Sequence, residues 1–251
     1  MTQRSYRLRV TLSELFMTSF THSGSTDLDL LAQRANANLA DATAHEIIGW
    51  AAEATGGRIC VTSSMTDALV IDLAARVQPG IDVIFLDTGY HFAETLGTRD
   101  AVAAMYAVNV INVAPARTVS EQDRHLGPRL FGRNPDLCCH LRKVIPLEQA
   151  LAPYRAWITG VRREETASRH GSQVVEWDRR RKMIKVNPVV GWSQAQVDAY
   201  IEANGVLVNP LVAQGYPSIG CSTCTLPVQA DADPRSGRWA GTGKTECGLH
   251  T

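Results

Sequence analysis

The chain has 251 residues, of which 45% are hydrophobic and 20% are charged, enough to build one sizeable core. Lys plus Arg and Asp plus Glu both number 25, so no global field favours nucleic acid or a membrane surface. The chain has neither the early apolar run of a signal peptide nor a segment long enough to span a bilayer. We therefore expect a cytoplasmic protein whose six cysteines bind metal or do chemistry and are not disulfides.

Three regions are predicted. Residues 1–25 show no clear pattern and are interpreted as an N-terminal arm or an oligomer contact, which leaves a homo-oligomer open. Residues 26–234 are predicted to form a single α/β domain. Residues 235–251 are predicted to form a mobile tail, because termini rich in glycine are seldom held rigidly.

The domain is expected to begin with two helices and a strand. Asp27 is placed to cap a helix that runs to residue 39. Asp41 is placed to cap a second helix, over residues 42–54, which Gly56 ends. The strand over residues 58–62 contains Cys60, for which we expect a packing role because a cysteine inside a buried strand behaves as a small apolar residue.

Strands and helices then alternate. The strands are predicted over residues 58–62, 81–86, 109–113 and 156–160, and the helices over residues 68–77 and 92–107. A strand over residues 183–186 and a helix capped by Ser193 follow later. This alternation predicts an α/β fold with a mostly parallel sheet flanked by helices, in which ligands bind beyond the carboxyl ends of the strands.

Polar loops follow two of these strands, over residues 62–67 and 86–89, and should share one edge of the sheet. A hydroxyl-rich turn at a helix N-terminus suits an anion, although simple capping of the helix explains Ser63 and Ser64 equally well. Arg162 and Arg163 follow another strand. They either join the same ligand edge or form a solvated turn with their acidic neighbours.

Four cysteines have chelating spacings. Cys221 and Cys224 form a C-x-x-C pair, whose short loop directs both sulfurs at one centre. Cys138 and Cys139 are adjacent, which is cramped around one tetrahedral ion but suits different irons of one cluster. A [4Fe–4S] cluster is the first interpretation, zinc the second, and a strained vicinal disulfide the third.

The last stretch, residues 244–250, places Cys247 almost at the end of the chain. Taken alone, it is either a disordered end with an incidental cysteine or an arm that carries a nucleophilic thiol to a site built elsewhere. The glycines before it, Gly237, Gly241 and Gly243, would serve as hinges in the second case.

Taken together, the adjacent cysteines, the C-x-x-C pair and the terminal Glu-Cys-Gly-Leu-His of residues 246–250 resemble the cluster-containing adenylyl-sulfate reductases of assimilatory sulfate reduction. Related phosphoadenylyl-sulfate reductases share the terminal motif but lack the four cluster cysteines. The resemblance covers about residues 61–250 and implies the adenine-nucleotide alpha hydrolase-like (PP-loop) fold. It also implies one [4Fe–4S] cluster and thioredoxin as electron donor.

The resemblance also implies roles for individual residues. They are the metal ligands Cys138, Cys139, Cys221 and Cys224; the phosphate loop Thr62, Ser63, Ser64 and Asp67; the nucleotide loop Leu86, Asp87, Thr88 and Gly89; the sulfate-side contact Lys143; the arginine loop Arg162 and Arg163; and Arg235, Arg238, Trp239 and His250 around the tail. The phosphate loop departs from the S-G-G-x-D-S pattern at three positions, Ser64, Met65 and Ala68. This departure suits a phosphosulfate that is not cleaved for pyrophosphate.

The implied reaction is attack by the Cys247 thiolate on the sulfur of adenosine 5′-phosphosulfate, followed by release of sulfite by thioredoxin. One alternative is a reductase of the 3′-phosphorylated nucleotide. A PP-loop enzyme that thiolates tRNA should retain the intact loop and carry more positive charge. An iron–sulfur regulator that binds DNA is disfavoured by the zero net charge and the lack of a basic recognition helix, so no nucleic-acid partner is expected.

Overall fold

The computed structural model describes residues 25–249. The predicted N-terminal arm, apart from its last residue, and His250 therefore lie outside the described residues. No helix within the described part is both long and apolar enough to cross a membrane.

A six-stranded sheet forms the centre of the protein. Its strands are β1 (Ile59–Thr62), β2 (Ile81–Leu86), β3 (Val108–Val113), β4 (Ala156–Ile158), β5 (Val175–Asp178) and β6 (Met183–Val186). They lie in the order β3-β2-β1-β4-β6-β5, and all neighbours are parallel except β5 and β6. The predicted mostly parallel sheet is confirmed.

Helices flank this sheet. Over residues 25–249 the α-helices are α1 (Ser25–Asn38), α2 (Ala44–Thr55), α3 (Leu69–Val77), α4 (Ala93–Met105), α5 (Val119–Leu126), α6 (Leu130–Arg133), α7 (Pro135–Cys139), α8 (Ile145–Leu151) and α9 (Gln194–Asn204). A π-helical turn, His140–Val144, joins α7 to α8. Four 3₁₀ turns in the same part of the chain are Arg163–Glu165, Ala167–Arg169, Val212–Gln214 and Ser222–Cys224.

The helix caps partly differ from the prediction. Helix α2 is capped by Thr43 and not by Asp41, because Thr43 and Glu46 form a reciprocal capping box in which the Thr43 Oγ1 accepts from the Glu46 N–H at 3.3 Å. Helix α1 starts at Ser25, which places Asp27 inside its first turn. The predicted Gly56 stop and Ser193 cap are confirmed.

The side chains of the strands alternate between two apolar layers. One layer contains Val61, Phe85 and Ile158, packed against α2 and α3. The opposite layer contains Cys60 and Trp157, packed against α8. Cys60 is fully buried, as expected for a packing cysteine, and burial raises the pKa of its thiol.

Candidate active site

The site lies where the strand order reverses. From β1 the chain proceeds to β2 and β3 on one side of the sheet, whereas β4 pairs with the other side of β1. Such a switch point leaves a crevice outside the carboxyl ends of the two central strands. Thr62, the last residue of β1, links β1 to β4 by donating a hydrogen bond from its Oγ1 to the Ile158 carbonyl at 3.3 Å. A cleft of about 990 Å³, here called the switch-point cleft, opens at this edge.

Most of the residues predicted from the sequence line this cleft. They are Thr62, Ser63, Ser64, Asp67, Leu86, Thr88, Lys143, Arg162, Arg235, Arg238, Trp239 and Cys247. Three predicted substrate-binding residues of the described chain, Asp87, Gly89 and Arg163, do not. Asp87 accepts the Gly89 N–H at 3.0 Å and lies 3.8 Å from the Arg99 guanidinium, so this pair shapes the turn. Arg163 is exposed and donates from Nε to the Ser172 carbonyl at 2.8 Å.

In the phosphate loop a residue other than glycine, Met65, adopts a left-handed backbone conformation. Met65 has φ of +60°, in the left-handed region that non-glycine residues rarely adopt, yet its side chain is fully buried. Asn209 braces this strained turn, because its Nδ2 donates to the Met65 carbonyl at 2.9 Å and its N–H donates to the Thr66 carbonyl at 3.0 Å. Surrounding contacts must compensate for this strain, which costs of order 1–3 kcal/mol.

The capping explanation of Ser63 and Ser64 is wrong. The Ser63 Oγ accepts from the Met65 N–H at 3.0 Å, inside the turn, and Ser64 is exposed. Asp67 instead receives the first free N–H of α3, that of Leu69, at 3.0 Å. Burial raises the pKa of Asp67, although the Leu69 hydrogen bond and the nearby Arg162 oppose that shift.

The four chelating cysteines come together at a small cavity beside the cleft, here called the cysteine cavity. Cys138 and Cys139 end helix α7, while Cys221 precedes the 3₁₀ turn Ser222–Cys224 and Cys224 ends it. Cys138, Cys139 and Cys221 are buried. Burial, followed by the neighbouring cysteines, raises the pKa of Cys138 to about 12. Within residues 25–249 no group of three or more His, Cys, Asp or Glu side chains is placed to hold a single metal ion.

The cysteine cavity and the switch-point cleft share a wall. Thr88, Lys143 and Trp239 line both. Thr88 also lies 3.3 Å from Cys221, Oγ1 to Sγ. A group held by the cysteines would therefore lie next to whatever occupies the cleft.

Arg142 is buried, with 3% of its surface exposed, although it carries a charge. It donates from Nε to the Thr88 carbonyl at 2.5 Å and from Nη1 to the Gln122 Oε1 at 3.1 Å and the Arg117 carbonyl at 3.2 Å. Its guanidinium also lies over the Tyr90 ring, 5.4 Å from the centroid. Arg142 thus joins the nucleotide loop to the turn that follows the cysteine pair.

The cationic side chains that line the cleft differ in whether a carboxylate already pairs with them. Arg162 pairs with Glu164 at 2.5 Å, and Arg235 pairs with Glu246 at 3.3 Å. Arg238 donates only to neutral oxygens, the Ser218 Oγ at 3.2 Å and the Ile219 carbonyl at 3.3 Å. Burial, followed by the charge of Arg235, lowers the pKa of Arg238.

The side chain of Lys143 has no hydrogen bond or ion pair within the described part of the chain. Burial alone would lower the pKa of Lys143, but the nearby thiolates of Cys221, Cys247 and Cys139 raise it above its usual value. Lys143 and Arg238 are therefore the two cleft cations without a carboxylate partner among residues 25–249, and both are available to an anion.

The tail folds back over the cleft. Its Glu246 carboxylate pairs with Arg169 and Arg235, and Lys244 pairs with Asp136 one turn before the cysteine pair. Leu249 packs on the apolar layer that contains Ile84. Cys247 is half-buried in the cleft. It lies close enough to Lys143 and Arg238 for a negative charge on its sulfur to act to raise the pKa of both side chains.

Two residues of the site were missed by the sequence analysis. Arg169 lies in the polar stretch after Arg163, and only its contact with Glu246, 77 residues further along, shows its role. Asn209 lies between β6 and the C-x-x-C pair with no motif around it. A basic residue in a strand-end loop was a weak signal for Arg169, and no sequence signal pointed to Asn209.

Comparison with known proteins agrees with this geometry. The family model of the phosphoadenosine phosphosulfate reductase domain matches residues 58–227. A Mycolicibacterium smegmatis protein named adenosine 5′-phosphosulfate reductase is 55% identical over 234 residues, covering 93% of this chain and 99% of that protein. A Streptomyces coelicolor protein of the same name is 56% identical over 235 residues, covering 93% of this chain and 100% of that protein.

Solved structures agree as well. The crystal structure of phosphoadenylyl-sulfate reductase from Candida auris, in complex with phosphate, has a TM-score of 0.67 at 29% identity and covers 83% of this chain and 100% of that one. A Candida glabrata FMN adenylyltransferase structure has a TM-score of 0.53 at 13% identity, covering 88% of this chain and 75% of that one, a likeness of fold alone. The fold and family predicted from the sequence are thus confirmed. The chain belongs to the phosphoadenosine phosphosulfate reductase domain family.

Proposed function

We propose that this protein reduces adenosine 5′-phosphosulfate to sulfite, releases AMP, and takes its two electrons from thioredoxin. One observation carries the proposal: the switch-point cleft brings Cys247 together with the strand-end loops and with two cations that have no carboxylate partner among residues 25–249. Relatives above 50% identity are named for this activity, which supports the choice of substrate. No cysteine among residues 25–249 forms a disulfide, which suits a reducing compartment, and we place the enzyme in the cytoplasm.

The nucleotide would lie over the carboxyl ends of the central strands, against the loops that begin at Thr62 and Leu86. Its phosphosulfate would then face Lys143 and Arg238, whose charges no carboxylate of the described residues neutralises. The Trp239 ring lies 4.5 Å from the Arg238 guanidinium and holds that side chain in place. Charge-assisted hydrogen bonds from these cations would stabilise the negative charge that develops on the leaving phosphate.

In the first step the Cys247 thiolate attacks the sulfur of the phosphosulfate. A bond forms between the Cys247 Sγ and that sulfur, the bond from sulfur to the bridging oxygen breaks, and AMP leaves with the oxygen. The product is an S-sulfonated cysteine. Lys143 and Arg238 line the same cleft as Cys247.

In the second step a thioredoxin thiolate attacks the Cys247 Sγ and displaces sulfite, leaving a mixed disulfide. The second thiol of thioredoxin then attacks that disulfide. Cys247 is released as a thiol, and thioredoxin is left oxidised. The dithiol supplies both electrons, so the reaction needs no redox nucleotide.

The donor set of the cysteine cavity fits a [4Fe–4S] cluster. Four cysteines line one cavity, and the adjacent pair Cys138 and Cys139 suits different irons of one cluster better than a single tetrahedral ion. The Tyr90 hydroxyl, which lines the cavity, is buried without a partner in the described part of the chain and suits an acceptor there. When bound, the cluster supplies negative charge and a rigid link between α7 and the C-x-x-C turn.

Iron analysis tests the cluster. Cys138→Ser and Cys224→Ser should lose iron and acid-labile sulfide, whereas Cys60→Ala should keep both, because Cys60 lies in the apolar layer away from the cavity. Zinc in place of iron in anaerobically purified protein would refute the cluster.

Intact-protein mass spectrometry tests the reaction. Mixing the reduced protein with adenosine 5′-phosphosulfate should produce a sulfonate adduct on Cys247 that thioredoxin removes, and Cys247→Ser should produce none. The absence of an adduct in the unmodified protein would overturn the proposal. The likeness to the Candida auris phosphoadenylyl-sulfate reductase makes the 3′-phosphorylated nucleotide the second candidate. A higher kcat/KM for that nucleotide would select it.

A further inference from the structure

We infer, resting on the proposed function for the ligand, that Gly220 positions the Arg238 guanidinium in the switch-point cleft. Gly220 is a positioning residue that acts through Arg238, because a residue without a side chain leaves room for the guanidinium. Residues 218–220, which lead directly into Cys221, are called here the arginine seat.

The Arg238 guanidinium lies directly against the arginine seat. Its Nη1 donates to the Ser218 Oγ at 3.2 Å and to the Ile219 carbonyl at 3.3 Å. A Cβ at Gly220 would lie 2.3 Å from Nη2, 2.6 Å from Cζ and 3.0 Å from Nε of the same side chain. Non-bonded heavy atoms pack at about 3.5–4.0 Å, so any side chain at this position would overlap the guanidinium where it now lies.

The backbone of Arg238 is held from the other side of the C-x-x-C pair. Arg238 forms an isolated antiparallel bridge with Thr225, and the next N–H, that of Trp239, donates to the Cys224 carbonyl at 2.9 Å. The Trp239 ring is buried and lies 4.5 Å from the Arg238 Cζ. An added methyl at Gly220 would therefore meet the free end of a flexible side chain whose backbone is fixed, and the guanidinium would leave the seat.

The seat leaves part of the Arg238 guanidinium for a ligand. Both seat oxygens that it contacts are neutral, and its Nε is buried without a hydrogen-bond partner among residues 25–249. A buried donor without a partner is costly, so an acceptor that enters the cleft is favoured. A phosphosulfate supplies charged acceptors, and Arg238 has no described carboxylate to release before it binds them.

Gly237 is closely packed for a different reason. A Cβ there would lie 2.1 Å from the Leu226 carbonyl oxygen, which belongs to the backbone. The Leu226 N–H also donates to the Gly237 carbonyl at 2.9 Å, so the two segments are locked together. A methyl at Gly237 would strain the fold, whereas a methyl at Gly220 would displace a side chain. Gly220 does not adopt a left-handed φ, so alanine can follow its backbone.

A double-mutant cycle on the holoenzyme tests the seat, with Gly220→Ala, Arg238→Ala and both together. Gly220→Ala should lower kcat/KM for adenosine 5′-phosphosulfate about ten- to a hundredfold, the range expected for a charged hydrogen bond. Its Tm should fall by less than about 4 °C, and its iron content should stay unchanged. The double variant should have a kcat/KM no lower than that of Arg238→Ala, because the methyl then has no guanidinium to displace.

Two other glycines serve as controls. Gly97 is exposed in helix α4, and an added Cβ there has nothing within 4 Å. Gly97→Ala should therefore leave kcat/KM within about twofold of the unmodified value. Gly237→Ala should lower Tm by about 4 °C or more, because a backbone carbonyl must move.

Crystal structures of the unmodified protein and of Gly220→Ala give a readout that needs no substrate. The guanidinium should leave the seat while the backbone of residues 218–221 stays in place. The inference is overturned by an unchanged kcat/KM in Gly220→Ala, by additive losses in the double variant, or by a backbone shift with the guanidinium still in place. A loss of iron in Gly220→Ala that persists in the double variant would also overturn it, since Gly220 would then serve the cysteine loop. If the proposed function itself fails, the unmodified protein shows no turnover, and the crystal structures still show whether Gly220 positions Arg238.

Discussion

Arg142 donates from its Nε to the carbonyl oxygen of Thr88 at 2.5 Å, a contact that spans 54 residues of sequence. Thr88 in turn lies 3.3 Å from the sulfur of Cys221. One buried guanidinium thus connects the nucleotide loop, the π-helical turn after Cys139 and, through Thr88, the C-x-x-C pair. The cleft and the cysteine cavity are therefore parts of one hydrogen-bonded unit.

Replacing this guanidinium should weaken the whole unit. Arg142→Met removes hydrogen bonds to Thr88, Arg117 and Gln122, each worth about 1.5–3 kcal/mol when the donor is charged. We expect a loss of about 3 kcal/mol or more in the free energy of unfolding, measured by chemical denaturation. Arg142→Lys should not rescue it, because an ammonium cannot reproduce the planar set of donors. Arg179→Met, at a side chain 84% exposed, is the control and should change stability by less than about 0.5 kcal/mol.

The arginines predicted to bind substrate should differ in their effect on kcat/KM, according to whether their side chains line the switch-point cleft. Arg238→Met should lower kcat/KM for adenosine 5′-phosphosulfate by about ten- to a hundredfold, because Arg238 is half-buried in the cleft and has no carboxylate partner among residues 25–249. Arg163→Met should change it by less than about threefold, since Arg163 is exposed and bonded to the Ser172 carbonyl. Steady-state kinetics on both variants measures the two changes in kcat/KM. Equal losses would mean that the arginine loop moves onto the substrate.

The brace of the phosphate loop gives a third prediction. Asn209→Ala removes the hydrogen bonds from Nδ2 to the Met65 carbonyl and the Thr95 hydroxyl, together with the one that Oδ1 accepts from the Leu211 N–H. Because Asn209 is 1% exposed, the partners stay buried and unsatisfied, and stability should fall by about 2–4 kcal/mol.

The Asn209 substitution should also release the left-handed turn at Met65, so KM for the nucleotide should rise in the same variant. Unfolding curves and initial rates measure the two effects. Asn204→Ala, which removes one exposed bond to the Tyr200 carbonyl, is the matched control. A stability loss without any change in KM would separate the brace from the loop.

Much of this architecture follows from local patterns in the sequence. Apolar strands that alternate with amphipathic helices specify a parallel sheet, and parallel strands bring their carboxyl-end loops to one edge. The strand β5, of sequence Val-Glu-Trp-Asp, was missed because an edge strand with two charged residues has little apolar signal. It is held by antiparallel pairing with β6, a contact that becomes visible only when the chain is folded.

Some functional residues were likewise predictable from local sequence, whereas others depend on contacts made only in the folded chain. Cysteine spacing and the terminal motif identify the cysteine quartet and Cys247, because short-range spacing limits where those sulfurs can point. The burial of Arg142, the exposure of Arg163 and the pairing of Arg169 with Glu246 depend on contacts between distant segments. Neighbouring arginines in sequence therefore take different roles, which only their partners in the fold reveal.

The buried carboxyl group of Asp67 should make stability depend on pH. Burial raises its pKa in the folded protein, so between the unfolded and folded pKa values the folded state keeps a proton that the unfolded chain has lost. Stability therefore falls as pH rises through this interval, and the penalty is constant above it. Asp67→Asn keeps an oxygen for the Leu69 N–H but has no charge to bury.

The Asp67→Asn variant should be more stable than the unmodified protein at pH 7–8, and the difference should shrink as the pH falls towards the unfolded value of about 3.9. Denaturation curves over a pH series measure this. Arg162, which lowers the pKa of Asp67, and Glu165, which raises it, lose their interaction with this charge in the variant, so the comparison measures burial together with these two effects. A variant that is less stable at neutral pH would show that the Arg162 charge outweighs burial and that Asp67 is ionised in the folded protein.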